Sequence, residues 1–216
     1  MKKIVSRIKD PISCLTHMAG AFFAVIGLIL MLLTANAPIE AIAFSIFGGT
    51  MFLMYLASTL YHLFDAGDAL TKALRKFDHV MIYFFIAGTF TPFTLLLIEG
   101  NLRWVFMGII WGIALAGMVF KLFWLHAPAW LSITLYLGMG WLGLLILPYA
   151  FGNLSAAAGN WIIAGGLSYT IGAVVYGVRR PDPWPGTFGF HEIWHLFVMG
   201  GSFSHFWVVY RYLPLG

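Results

Sequence analysis

From Thr16 to Leu213 the chain repeats one pattern: an apolar run of about twenty residues, then a short break that is polar or rich in Gly and Pro. A helix of roughly that length spans the ~30 Å hydrocarbon layer of a bilayer. Seven such runs are legible, at about 16–35, 41–64, 78–98, 103–123, 129–149, 158–178 and 191–213. Only 9% of the 216 residues are charged and 61% are hydrophobic, whereas a soluble domain carries about 25% charged residues. A soluble fold of this size has too little interior for so much apolar surface. The expectation is an all-α polytopic membrane protein, a single seven-helix transmembrane domain over residues 1–216. Pro92 and Pro148 fall inside runs and are expected to kink or end their helices. Frequent Gly and Ala residues allow close helix approach. The odd number of runs argues against two equal halves.

The start, Met1-Lys2-Lys3-Ile4-Val5-Ser6-Arg7-Ile8-Lys9, is basic and precedes an apolar run, as in a signal peptide. The run is too long for an h-region and ends at Asn36-Ala37-Pro38 without a small-x-small site, so it reads as a retained first span. Orientation follows from Lys and Arg. With the N-terminus inside, the inner side holds ten (Lys2, Lys3, Arg7, Lys9, Lys72, Arg75, Lys76, Lys121, Arg179, Arg180) and the outer side two, Arg103 and Arg211. The expectation is therefore a cytoplasmic N-terminus and an outer C-terminus. The same distribution explains the basic balance as a positive-inside signal with attraction to anionic lipid. Basic residues scattered over loops argue against a nucleic-acid partner. The single cysteine, Cys14, excludes an internal disulfide.

Rare ionisable groups converge at one depth in this topology. The second run ends at Ser58-Thr59-Leu60-Tyr61-His62, the third begins at Phe77-Asp78-His79, and the seventh begins at His191-Glu192-Ile193-Trp194-His195. On a helix the imidazoles of His191 and His195 share a face and can reach one metal ion. Three histidines (His62, His191, His195) with the carboxylate of Asp78, acting directly or through a water, form a reasonable zinc set. Asp78 can serve as general base; it can equally cap a helix that opens there. Ser58 lies one turn before His62 and can orient it, or bond its own backbone. Glu192 is the base in soluble His-Glu-x-x-His hydrolases; here it can instead face the headgroups. His17 has the right depth to support the site or line its access path, with packing as the plain alternative. His79 and His126 read as structural or unassigned. His205 lies about 21 Å along the helix from His191, too far to share a metal, and reads as helix packing.

Three blocks in this order carry a resemblance: Ser58-Thr59-Leu60-Tyr61-His62; Phe77-Asp78-His79 with Ala87-Gly88-Thr89-Phe90-Thr91-Pro92; and His191-x-x-x-His195 with Gly200-Gly201-Ser202-Phe203-Ser204-His205-Phe206. Over essentially its whole length the chain resembles the hemolysin III proteins, the bacterial branch of the progestin and adipoQ receptor family. The resemblance implies seven membrane helices in the cell membrane (the inner membrane of a bacterium) and a zinc ion near the cytoplasmic face. The implied ligands are His62, His191 and His195, with Asp78 at the water and Ser58 beside it. Similarity to the alkaline ceramidases implies hydrolysis of a lipid amide or ester, with membrane lipids as partners. The family's usual N-terminal block is Glu-x-x-Asn-x-x-Ser/Thr-His; here it reads Asp10-Pro11-Ile12-Ser13-Cys14-Leu15-Thr16-His17, with Ser13 where the amide stands.

These residues leave several readings open: a zinc-dependent lipid hydrolase, a non-enzymatic sensor or receptor with structural zinc, a cytolytic pore suggested by the family name, and a membrane protease with Glu192 as base.

Overall fold

The computed structural model describes residues 8–65 and 67–214. The basic start through Arg7, and Ala66 in the second break, lie outside the described residues. The helices are α1 (Pro11–Thr34), α2 (Pro38–Leu63), α3 (Gly67–Leu97), α4 (Leu102–Phe123), α5 (Ala129–Trp141), α6 (Leu147–Asn153), α7 (Ala156–Val178) and α8 (Phe190–Tyr212), with a 3-10 turn over Leu142–Leu145. Among the described residues there is no strand, only one isolated bridge between Trp184 and Phe188.

Among the described residues, six spans are long and apolar enough to cross a membrane: α1, α2, α3, α4, the α5–α6 pair and α7. The seventh expected span is α8, whose 23 residues reach about 34 Å. Its three histidines, Glu192 and Arg211 make it less apolar than the other six. The chain is therefore an all-α, multi-pass membrane protein.

Successive helices pack as neighbours from α1 to α4, α7 packs on α8, and α8 returns to α1, which closes the bundle. Helix α3 also meets α5, α6 and α8. In its apolar stretch 72% of residues are buried, against 50% or less for the other spans, so α3 is the central helix. Phe22, Phe23, Leu33, Phe123 and Val178 are exposed, as a lipid-facing surface requires. Trp104, Trp124, Trp130 and Trp184 near helix ends are half or more exposed, at the level where indole rings favour the interface.

One expectation needs correction. Helix α3 starts at Gly67, eleven residues before Asp78, because the mostly exposed stretch Gly67–Lys76 continues as helix beyond the apolar core. Asp78 therefore sits inside a helix and caps nothing. The helix also runs on through Pro92 to Leu97. At the other proline the expected break does occur: Pro148 lies in the first turn of α6, and the fifth span is split by the 3-10 turn before it. The ring lacks an N–H and crowds the carbonyl four residues earlier, and Gly138, Gly140 and Gly143 nearby offer little resistance to the change.

Glycine sets the distance between central helices. A Cβ on Gly88 of α3 would collide with the side chain of Thr50 on α2, and one on Gly117 of α4 with the ring of Tyr83 on α3. A Cβ on Gly49 would meet nothing within 4 Å. Gly88→Val is expected to lower unfolding stability by about 1–3 kcal/mol, as overpacked cores do. Gly49→Ala should stay within about 0.5 kcal/mol, as changes away from packed contacts do. Thermal unfolding in detergent compares the two, and equal transitions would contradict this packing.

Candidate metal centre

The site lies at the end of the bundle where α1 begins, α2 ends and α8 begins. His62 is in the last turn of α2, and His191 and His195 occupy the first two turns of α8. One nitrogen from each ring lies within 4.8 Å of the other two, and among the described residues these three alone form such a group. The His62 and His191 Nε2 atoms are 3.3 Å apart. The ring of His195 lies 5.2 Å from that of His62 and 4.7 Å from that of His191.

Asp10, at the entry to α1, fixes the orientation of His62. Its carboxylate accepts a 2.8 Å hydrogen bond from His62 Nδ1. That bond leaves the Nε2 lone pair turned toward His191, the arrangement of carboxylate–histidine–metal triads. The same bond, joined by the nearby Lys9 ammonium, holds the Asp10 carboxyl below its usual range despite partial burial. The backbone supports the junction: Asp10 N–H donates to the carbonyl of His62 and Lys9 N–H to that of Leu63. These are terminal carbonyls of α2 that the helix itself cannot satisfy.

Glu192 is also settled by geometry. One carboxylate oxygen accepts from Ser13 Oγ at 2.7 Å, and the other accepts from the backbone N–H of Gly189 at 2.8 Å. Glu192 therefore caps its own helix and ties α8 to α1, rather than facing the headgroups. Ser13 is fully buried. The residue that departs from the resembled block thus keeps a donor at this helix contact.

Asp78 is at the same end of the bundle, with its side chain 14% exposed. It is outside the three-imidazole group, but close enough for its charge to act on His191. His79 donates from Nδ1 to the carbonyl of Arg75 at 2.9 Å, which makes it a helix-surface group. Ser58 is buried one turn before His62. His205 stacks on Tyr169 of α7 at 5.7 Å in the far half of the bundle, as a packing residue does.

The sequence reading placed the three histidines together and missed the partner of His62. A signal existed: Asp10 stands where the resembled block has glutamate. Only the fold shows that this carboxylate faces the end of α2.

The three imidazoles fit a metal. Nδ1 of His195 is buried without a hydrogen-bond partner in the protein, and His62 presents a free lone pair. Three neutral imidazoles suit zinc and other borderline transition metals, and leave room for a further ligand.

The sequence is similar to known proteins along nearly its whole length. A family model described as "Haemolysin-III related" matches residues 5–206. Hemolysin-3 of Bacillus cereus is 35% identical over 99% of this chain and 96% of its own length. The Hemolysin-3 homolog of Bacillus subtilis (strain 168) is 36% identical over 95% of each. The human monocyte to macrophage differentiation factor is 25% identical over 93% of this chain and 83% of its own. With these matches across a helical bundle of apolar spans, the chain is a multi-pass protein of the cell membrane and belongs to the haemolysin III family.

Proposed function

We propose that the protein is a zinc-dependent hydrolase of a lipid amide or ester. The observation that carries this reading is the cluster of three imidazoles on α2 and α8, with His62 oriented by Asp10. His62, His191 and His195 hold the metal, and membrane lipid is the substrate that reaches a site built between membrane helices. Zinc in such a set acts as a Lewis acid on an acyl carbonyl and lowers the pKa of water to about 7. Asp78, partly exposed beside the cluster, takes the proton of the attacking water on its carboxylate and returns it to the leaving amine or alcohol as the C–N or C–O bond breaks. Ser58, one turn before His62, supports that end of α2. Glu192 takes a structural role in this reading, since each of its oxygens accepts a hydrogen bond that holds the start of α8.

A second reading has its own observation. The imidazole cluster joins α2 to α8, helices 129 residues apart at His62 and His191, so a metal there also staples the bundle. In that case the protein is a sensor or receptor with structural zinc and turns over nothing. A lytic activity has support only in the names of the Bacillus relatives, and dye release from proteoliposomes is its direct test.

Purified wild type is expected to contain about one zinc per chain, the closed complement of a three-histidine site. His62→Ala, His191→Ala and His195→Ala should each lose it, as read by metal analysis. A metal-free wild type would sink both readings. Asp78→Asn should keep the metal and lose fatty-acid release from lipid amides or esters by about 100-fold or more; unchanged function in that variant favours the structural reading.

Asp10→Asn should weaken zinc binding by about 10–100-fold, the usual effect of removing an orienting carboxylate. Competition with a chromogenic chelator measures it. Glu192→Gln should retain zinc and turnover while lowering stability by about 1–2 kcal/mol, since it disturbs two hydrogen bonds to a charged group. Abolished turnover with an intact metal would restore Glu192 as the base.

A further inference from the structure

His17 is the one histidine beside the metal centre that the proposed chemistry does not use. It lies on α1 and is 3% exposed. Its ring is stacked face to face on His195, with centroids 3.6 Å apart and planes 11° from parallel. The edge of the ring meets Tyr55 of α2 at 5.1 Å and 78°. Tyr55 is itself fixed, since its hydroxyl donates to Ser202 of α8 at 2.8 Å. Gly20, three residues after His17, admits the Tyr55 ring: a Cβ there would come within 2.8 Å of it. Three helices thus clamp this imidazole.

The clamp leaves the ring chemically unsatisfied. Neither nitrogen of His17 has a hydrogen-bond partner in the protein, although both are buried. His195 shares this state at Nδ1, whereas the other polar neighbours are satisfied: His62 is bonded to Asp10, Ser13 to Glu192, and Tyr55 to Ser202. A buried polar group without a partner is costly and rare, and in a membrane interior it marks function. If packing alone were needed, a phenyl ring would fill the same slot without that cost.

We propose that His17 is a hydrogen-bond donor to the ligand seated at the metal centre, namely the acyl carbonyl or carboxylate oxygen of a lipid. This rests on the zinc reading above. The ring lies outside the three-imidazole group, so it is not a ligand of the metal. Because it parallels His195 at one ring thickness, the edges of the two rings lie side by side. One N–H directed there would polarise a carbonyl during hydrolysis and hold a carboxylate product afterward.

The test uses full-length protein in detergent with two probes, zinc alone and the fatty carboxylate myristate. His17→Phe keeps the stack on His195 and the edge against Tyr55 but removes both nitrogens. The expected result is zinc affinity within threefold of wild type and myristate affinity reduced tenfold or more. His17→Gln, which keeps an N–H donor, should recover part of the myristate affinity, and it serves as the test variant should the phenyl ring not be accommodated. Wild-type myristate affinity in His17→Phe would make His17 a packing ring and overturn the proposal. Loss of zinc in both variants would also overturn it, by making His17 a support of the metal. Wild type that binds zinc but not myristate overturns this inference and leaves the metal reading intact; wild type that binds neither overturns both.

Discussion

Two imidazole nitrogens 3.3 Å apart, on His62 and His191, join the end of the second helix to the start of the last. Polar groups buried between membrane helices need partners within the protein, because the hydrocarbon layer supplies none. Much of the architecture at this end of the bundle follows from that requirement. Asp10 satisfies His62 and, through its backbone, one of the terminal carbonyls of α2. Ser13, three residues on, satisfies Glu192 and so draws α8 against α1. The first helix therefore does more than cross the membrane: it closes the ring of helices and fixes the ring that faces the metal centre.

The spans were legible because lipid imposes a simple rule on composition and length. Their ends were less so. Helix α3 runs eleven residues farther toward its N-terminus than the apolar run, since exposed residues such as Asp68 and Lys72 need no lipid and are compatible with helix. The break in the fifth span follows from Pro148, whereas α3 continues past Pro92. The difference between these two prolines is one of tertiary context, since α3 is held at the centre of the bundle and the fifth span is mostly at its surface.

The histidines of the centre were legible from spacing and depth together. The i, i+4 pair gives a shared face, and the direction of each span gives a shared end. Their supporting residues were not, because support here passes between α1 and its neighbours, and no local pattern encodes which residue of one helix faces which of another. Asp10, Ser13 and His17 are each ordinary residues at the start of an apolar run. Their roles come from closure of α8 on α1 and, for His17, from Tyr55 and Gly20, which bring α2 close enough to hold its ring.

The burial of the cluster also has a direction. His62 and His195 are nearly inaccessible, whereas His191 and Asp78 are partly exposed. On the buried side His17 of α1 stacks on His195 and Asp10, just before α1, bonds His62, whereas Tyr176 of α7 lies near the partly exposed His191. The His-Glu-x-x-His string would suggest a protease whose base lies within it. In this bundle the glutamate of the string joins two helices, accepting from Ser13 of α1 and from the backbone N–H of Gly189. The surroundings of the two string histidines are thus set by how the helices close around them: His62 comes from α2, and Asp10 from the entry to α1.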